Sequence, residues 1–331
     1  MINEPIVIHN GSYIENSNQN TKSDIPKIKH FVFDLDETIG SFSELNIIWR
    51  CLIEMSKKNN QSDNSIKIGQ NHQKWFNQIL DIFPEYLRPG ILTIFEFLYH
   101  KKQKGCFGNI YIYTNNQCSS FTSTNCTNPV SWTLMILKYI EMSGQLKELL
   151  FEPPIHAFKI NGQVSIDTRR TGQSKTFSDL MRCTLLPKSA EFCFIDNTYF
   201  PKMKHGRIFY IQPKPYYQCL GMNEVVRRLL LSDFGKQCVQ DFDNSYYDQK
   251  SWKTVFLDLS LKYGGQVSPI RKTREEIEMD ILVSQKLMYH IKEFFYLTYV
   301  GRRRKSKTKK ARGRFWYNVS KKLREPIKGT N

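Results

Sequence analysis

The chain has 331 residues, with 40% hydrophobic and 13% aromatic side chains, enough apolar material for a packed core and too much for global disorder. Its formal net charge is +17, but twelve Lys and Arg and no Asp or Glu fall between Arg302 and Arg324, so inferences about partners from charge belong to that tail. Eight cysteines without a CxxC pair, seven scattered histidines, no apolar run of bilayer length and no signal pattern at the N-terminus argue against zinc fingers, secreted disulfide scaffolds and membrane spans, and for an intracellular protein with reduced thiols.

Residues 1–26 are polar and Asn-rich and read as a flexible N-terminal arm. Lys27 to Phe33 (KIKHFVF) is a β-prone run ending on acidic residues. A helical stretch follows from about Glu44 to Lys58, then a polar loop at Asn59–Gln70, and then Trp75, Ile79, Leu80 and Phe83 at helical spacing. Pro89 suits the first turn of the next helix, whose apolar residues are Ile91, Leu92, Phe95 and Leu98, with Gly105 placed to end it. Asn109 to Thr114 (NIYIYT) is a second strand. Asn128-Pro129 opens a helix carrying Trp132, Ile136 and Ile140, and Gly144 closes it.

Glu191 to Ile195 (EFCFI) is a third strand ending on Asp196, and Arg207 to Ile211 (RIFYI) is a fourth, with a helix near Asn223–Leu231 behind it. Strands alternating with helices across long crossovers predict an α/β fold, a largely parallel sheet with helices on both faces. The expected domain spans 27–235, with a helical insertion at about 44–85. Beyond it, 236–300 reads as a helical extension: Thr273 and Glu276 form a capping box, and Ile277, Ile281, Met288, Ile291 and Phe295 keep a helical period until Gly301. Packing of that helix on the protein's own core is favoured over an intermolecular zipper. The basic tail is 301–331.

Three strands end in polar residues, and in an open parallel sheet the carboxyl ends of the strands line the ligand crevice. Asp34, Asp36 and Thr38 should therefore converge there with Thr114 and Asn115, and with Asp196 and Asn197. Lys175, after the turn RTGQS and ahead of a helix, is placed to point into the same crevice. Two carboxylates two residues apart can share one phosphoryl group, one attacking phosphorus while the other protonates the leaving oxygen. Asp34, Asp36, Asp196 and Asn197 offer hard oxygen donors suited to Mg²⁺, and a lysine would neutralise phosphoryl charge. Taken singly, an acidic pair after a strand is commonly a solvated turn, a strand-end Thr a β-former and a lone Lys a surface charge. The ordered combination carries the argument.

FDLDET at 33–38, YTNN at 113–116, the Lys before a helix and FIDN at 194–197 resemble the four motifs of the haloacid dehalogenase (HAD) superfamily of phosphatases. DLDETI, LRPGILTIFEFL at 87–98, and the stretch from Asp196-Asn197 through Ile211-Gln212-Pro213 to NEVVRRLL are similar to the small C-terminal-domain phosphatases, also called NLI-interacting-factor-like phosphatases. The resemblance covers roughly residues 27–232. It implies a HAD-like Rossmannoid sheet, a Mg²⁺ cofactor and an aspartyl-phosphate intermediate. Asp34 would be the nucleophile and Asp36 the general acid and base, its main-chain carbonyl also reaching the metal. Thr38 would hold the acidic pair, Thr114 and Lys175 would bind the phosphoryl group, and Asn197 would be a more direct metal ligand than Asp196. Residues 40–85 look helical where that family carries a short β-hairpin, Asp179-Leu180 stand four residues after Lys175 rather than next to it, and the span from Thr114 to Lys175 is long. The eyes-absent phosphatases share DLDETI followed by a helical insertion, a likeness limited to the first motif and the Lys segment.

The implied activity is a magnesium-dependent phosphomonoesterase, with phosphoserine or phosphothreonine in a protein as the leading substrate. A polynucleotide phosphatase is the second reading, and a nucleic-acid-binding protein with an inactive HAD core the third. In 301–324 the cations are interleaved with Phe315, Trp316 and Tyr317. That pattern suits either nucleic-acid binding, with cations on phosphates and rings on bases, or a nuclear-import signal within 302–314. The expected location is the cytoplasm or nucleus.

Overall fold

The computed structural model describes residues 4–15, 28–58, 68–116, 131–160, 163–164, 169–242, 249–266, 268 and 271–299. Met1–Tyr299 form one unit and Val300–Asn331 a second, and the second lies outside the described residues, together with the readings made on the basic tail, on Asn128-Pro129 and on most of the 59–70 loop.

The elements in chain order begin with β1 (Ile6–Asn10), β2 (Tyr13–Glu15) and β3 (Lys29–Phe33). Helices α1 (Phe42–Lys58), α2 (Ile68–Ile82) and α3 (Ile91–Gln103) lead to β4 (Ile110–Ile112) and α4 (Trp132–Ser143). The short strands β5 (Lys159–Ile160) and β6 (Gln163–Val164) precede α5 (Phe177–Thr184), β7 (Glu191–Ile195) and β8 (Ile208–Pro213). The described chain closes with α6 (Met222–Leu231), α7 (Asp233–Phe242), α8 (Gln249–Lys262), α9 (Arg274–Tyr296) and β9 (Leu297–Tyr299).

The main sheet has five strands in the order β1-β8-β7-β3-β4, parallel except for β1. Its strands are apolar on both sides because both faces are covered, as a buried parallel sheet requires. Phe31, Phe33, Cys193, Ile195, Phe209 and Ile211 enter one core, shared with α1–α4, α6, α8 and α9. Val32, Phe192, Phe194 and Tyr210 enter a smaller one, under Leu180 of α5. The chain leaves β3 towards β4 on one side and returns to β7 and β8 on the other, so the order of strands reverses beside β3. That reversal opens a crevice at the carboxyl end of β3.

One expectation needs correction. Residues 4–15 are no loose arm: β1 pairs antiparallel with β8, Ile6 opposite Pro213, and β2 pairs with β9. The run Ile6-Val7-Ile8 is strand-forming, but its partner lies about two hundred residues away, as in the hydrogen bond from His9 to Gln212 (separation 203). The expected packing of the long C-terminal helix on the protein's own core is met: α9 lies in the first unit, and its Val283, Leu287, Ile291 and Phe294 are fully buried against the core. The predicted capping box at Thr273 and Glu276 is formed. The helix stops at Tyr296, short of Gly301, because the chain turns into β9. There Lys29 of β3 caps it, donating to the carbonyls of Phe294 (2.5 Å), Phe295 (2.9 Å) and Leu297 (2.7 Å). Among the described residues no helix is long and apolar enough to cross a membrane.

His30, one residue further along β3, is 3% exposed, and its Nδ1 accepts the Asn109 N–H at 3.1 Å. Burial pulls its pKa from 6.5 down to about 4. The fold therefore favours neutral imidazole, and the stability this gives is complete above pH 6.5 and drains as pH falls towards 4. The full loss is about 3 kcal/mol. Urea unfolding of wild type and His30→Phe at pH 7 and pH 4.5 checks it: the gap between the two proteins should shrink at the lower pH, and an unchanged gap would contradict the assignment.

Candidate active site

The backbone delivers the polar residues to the crevice by continuing the strand ladder one residue past each strand. The Asp34 N–H donates to the Ile195 carbonyl (2.8 Å), the Tyr113 N–H to Phe33 (2.8 Å), and the Asp196 N–H to Ile211 (3.2 Å). Past Asp34 the chain makes a tight loop in which the Glu37 N–H donates to the Gly40 carbonyl (2.7 Å) and Glu37 takes φ 59°. Gly40 is required there, since a Cβ would sit 2.4 Å from the Tyr86 carbonyl oxygen.

Arg88, 1% exposed, locks this loop from below. Its guanidinium donates to the carbonyls of Thr38 (2.7 Å), Glu37 (2.7 Å) and Lys214 (2.9 Å). The Arg-Pro-Gly segment thus serves as a clamp on the acidic loop, and Gly90, at φ 73°, starts α3 directly behind it.

All the residues picked from the sequence meet here. Asp34, Asp36, Thr114, Asn115, Lys175, Asp196 and Asn197 line a cleft of about 940 Å³, and Thr38 is buried beneath it. Lys175, 2% exposed, is the hub. Its Nζ donates to Asp34 Oδ1 and, at 2.7 Å, to Asp196 Oδ2. Burial alone would pull the ammonium's pKa down, but Asp34 and Asp196 outweigh it and hold it above the ordinary lysine value. The other Asp196 oxygen accepts the Thr198 N–H at 2.8 Å. Burial raises the Asp196 pKa while Lys175 opposes the rise.

Asp36 stands apart from this hub, held by Asn116 Nδ2 at 3.2 Å. Burial, then the charge of Asp34, push its carboxyl up to about 7. The two carboxylates of this loop thus sit in different settings, Asp34 paired with a cation and Asp36 with its pKa pushed upward by burial and by the charge of Asp34. The Thr38 hydroxyl reaches Asp34 Oδ2 at 3.4 Å, as expected, and also Asn197 Oδ1 at 2.8 Å, and it accepts the Asn197 N–H at 3.0 Å. Glu37 accepts from the other end of that amide (3.1 Å) and from the Tyr217 hydroxyl (2.9 Å).

Arg170 is a site residue that sequence reasoning missed. Only 5% exposed, it donates to the carbonyls of Thr114 (3.0 Å), His156 (2.9 Å) and Gln173 (2.7 Å), and to Asn115 Oδ1 (2.8 Å). It fastens the loop after β4 to the turn that carries Lys175. An arginine beside a glycine turn has no signature of its own, and three of its four acceptors, on Thr114, Asn115 and His156, lie on stretches distant in sequence.

Asp34 Oδ2, Asp36, Asp196 and the Asn197 oxygen form a hard donor set. Two carboxylates, Asp34 and Asp196, share one ammonium in a largely buried pocket, with Asp36 beside them, and a divalent cation would balance charge that Lys175 alone does not. Among the described residues no group of three or more His, Cys, Asp or Glu is placed to hold a metal ion, so an ion here would take at most two of these carboxylates and fill its shell from Asn197, main-chain carbonyls or water. Hard oxygen donors of this kind are those that Mg²⁺ takes, with several waters kept.

The cleft runs on from the carboxylates along α1, whose Ser43, Asn46, Ile47 and Arg50 form its far wall. Comparison with protein families, with characterised proteins and with solved structures returns no match to this chain.

Proposed function

We propose that the chain is a magnesium-dependent phosphomonoesterase of the haloacid dehalogenase type that works through an aspartyl-phosphate on Asp34 and acts on phosphoserine or phosphothreonine in proteins. The observation that carries this reading is the Lys175 ammonium joined to both Asp34 and Asp196 at the point where the strand order reverses, with Asp36 two residues from the nucleophile.

Asp34 Oδ2, the oxygen free of Lys175, attacks phosphorus as the bond from phosphorus to the ester oxygen breaks. Asp36 gives its proton to that oxygen, which leaves as the serine or threonine hydroxyl. In the second half a water passes a proton to the Asp36 carboxylate and bonds to phosphorus. The bond to Asp34 breaks, releasing inorganic phosphate and the Asp34 carboxylate. Lys175 and the Thr114 hydroxyl hold the phosphoryl oxygens throughout, and Arg88 and Arg170 keep the two loops in register. Bound Mg²⁺ would add charge neutralisation on those oxygens.

The test is a panel of p-nitrophenyl phosphate, phosphoserine peptides and oligonucleotides with 3′- or 5′-phosphate, each with Mg²⁺ or EDTA. Mg²⁺-dependent turnover of the first two is expected; turnover of oligonucleotides alone would move the substrate to nucleic acid, and turnover of none would remove the enzyme reading. Asp36→Asn sharpens it. Loss of the proton donor should slow phosphoserine hydrolysis by ~10²–10⁴-fold and p-nitrophenyl phosphate far less, because nitrophenolate leaves without a proton. Equal losses on both substrates would confine Asp36 to a structural or metal-holding part.

A further inference from the structure

The far wall of the cleft carries a cation that the proposed chemistry does not use. Arg50 is exposed on α1, and its guanidinium carbon lies 3.9 Å from the centroid of the Tyr263 ring, at the end of α8. Among the described residues no carboxylate pairs with it, whereas its neighbour Lys262 is paired to Glu54 at 3.3 Å. A guanidinium seated over a ring does not spend its N–H groups on that contact, which leaves its fork for an anion. Asn46 and Ser43 lie on the same helical face, one and two turns nearer the start of α1, and line the same cleft.

We infer that Arg50 on its Tyr263 platform is a second anion subsite, which selects phosphopeptides bearing an acidic side chain about three residues from the phosphorylated one. The inference rests on the phosphatase reading for what occupies the near end of the cleft. From Ser43, beside the acidic loop, to Arg50 is about two helical turns, roughly 10 Å. Three residues of extended peptide cover the same roughly 10 Å. Peptide is favoured over nucleic acid by the rings. A single strand needs a run of open aromatic faces for its bases, but Phe42 and Trp132 are 1% exposed and Arg50 covers Tyr263, which leaves half-buried Phe200 as the one other ring among the described lining residues.

The test is fluorescence anisotropy on the full chain carrying Asp34→Asn, with short phosphoserine peptides. Glu or Gln is placed at the third position before or after the phosphoserine. At one of the two positions the Glu peptide should bind roughly tenfold more tightly than the Gln peptide, the worth of one charge-assisted pair. Adding Arg50→Ala should erase that preference, and Arg50→Lys should restore it only in part, because the fork is lost. Equal affinity for Glu and Gln at both positions, or a preference that survives Arg50→Ala, would overturn the subsite. So would a 5′-phosphorylated oligonucleotide that outcompetes the peptides through Arg50. Wild-type turnover of the Gln peptide is read in parallel. Arg50-dependent binding without turnover would sustain the subsite and defeat the phosphatase reading, and turnover without a Glu preference would do the reverse.

Discussion

Asp34→Asn should abolish turnover on every phosphomonoester while leaving the protein folded. The amide cannot attack phosphorus, and loss of an essential catalytic group costs at least ~10³-fold in rate. The fold should survive because Lys175 keeps its 2.7 Å bond to Asp196, so no buried cation is left without a carboxylate. Acid-quenched wild-type enzyme should carry acid-stable, alkali-labile phosphate on the peptide containing Asp34, and the variant should carry none. Near wild-type hydrolysis by pure Asp34→Asn protein would show that another group is the nucleophile.

Lys175→Met should damage both stability and activity. It leaves Asp34 and Asp196 buried against each other without the ammonium that joins them, and breaking a buried pair of this kind costs about 3–5 kcal/mol. Removing a preorganised positive group from the phosphoryl site should lower the rate by ~10²–10³-fold. The stability loss should depend on pH with a definite sign. Burial already raises the Asp196 carboxyl above its unfolded value, and removing Lys175 takes away the charge that opposes the rise, so the variant should be closest to wild type in acid and fall behind as pH rises through neutrality. Thermal melts of both proteins between pH 5 and 8, at about pH-unit steps, would read this. A deficit that stayed constant over that range would mean that the lysine matters for packing rather than for charge.

Much of the site was legible because each residue sits directly after a strand that the sequence marks on its own. KHFVF, NIYIYT and EFCFI are short apolar runs, and the polar residues that end them share one edge of a parallel sheet by construction. Lys175 could be placed because Thr176 caps the helix behind it and accepts the Asp179 N–H at 3.0 Å. What stayed hidden depends on distant partners. Ile6–Asn10 becomes a strand through β8, and Arg88 and Arg170 become clamps through carbonyls on other loops. The second, smaller core beneath α5 also had no local sign, because Val32 and Phe194 alternate with residues of the first core on the same strands.

The strand pairing also sets a timetable for synthesis. Lys175 leaves the ribosome 141 residues after Asp34, and Asn197 159 residues after Thr38. At ~5–20 residues per second the acidic loop therefore waits roughly 7–30 s for the residues that complete its pocket. β1 is made before any other strand, yet its position is beside the last strand of the main sheet. When β8 emerges, the segment that covers its outer edge is already available on the same chain. The newly completed sheet can close that edge at once, before a neighbouring nascent chain can pair with it.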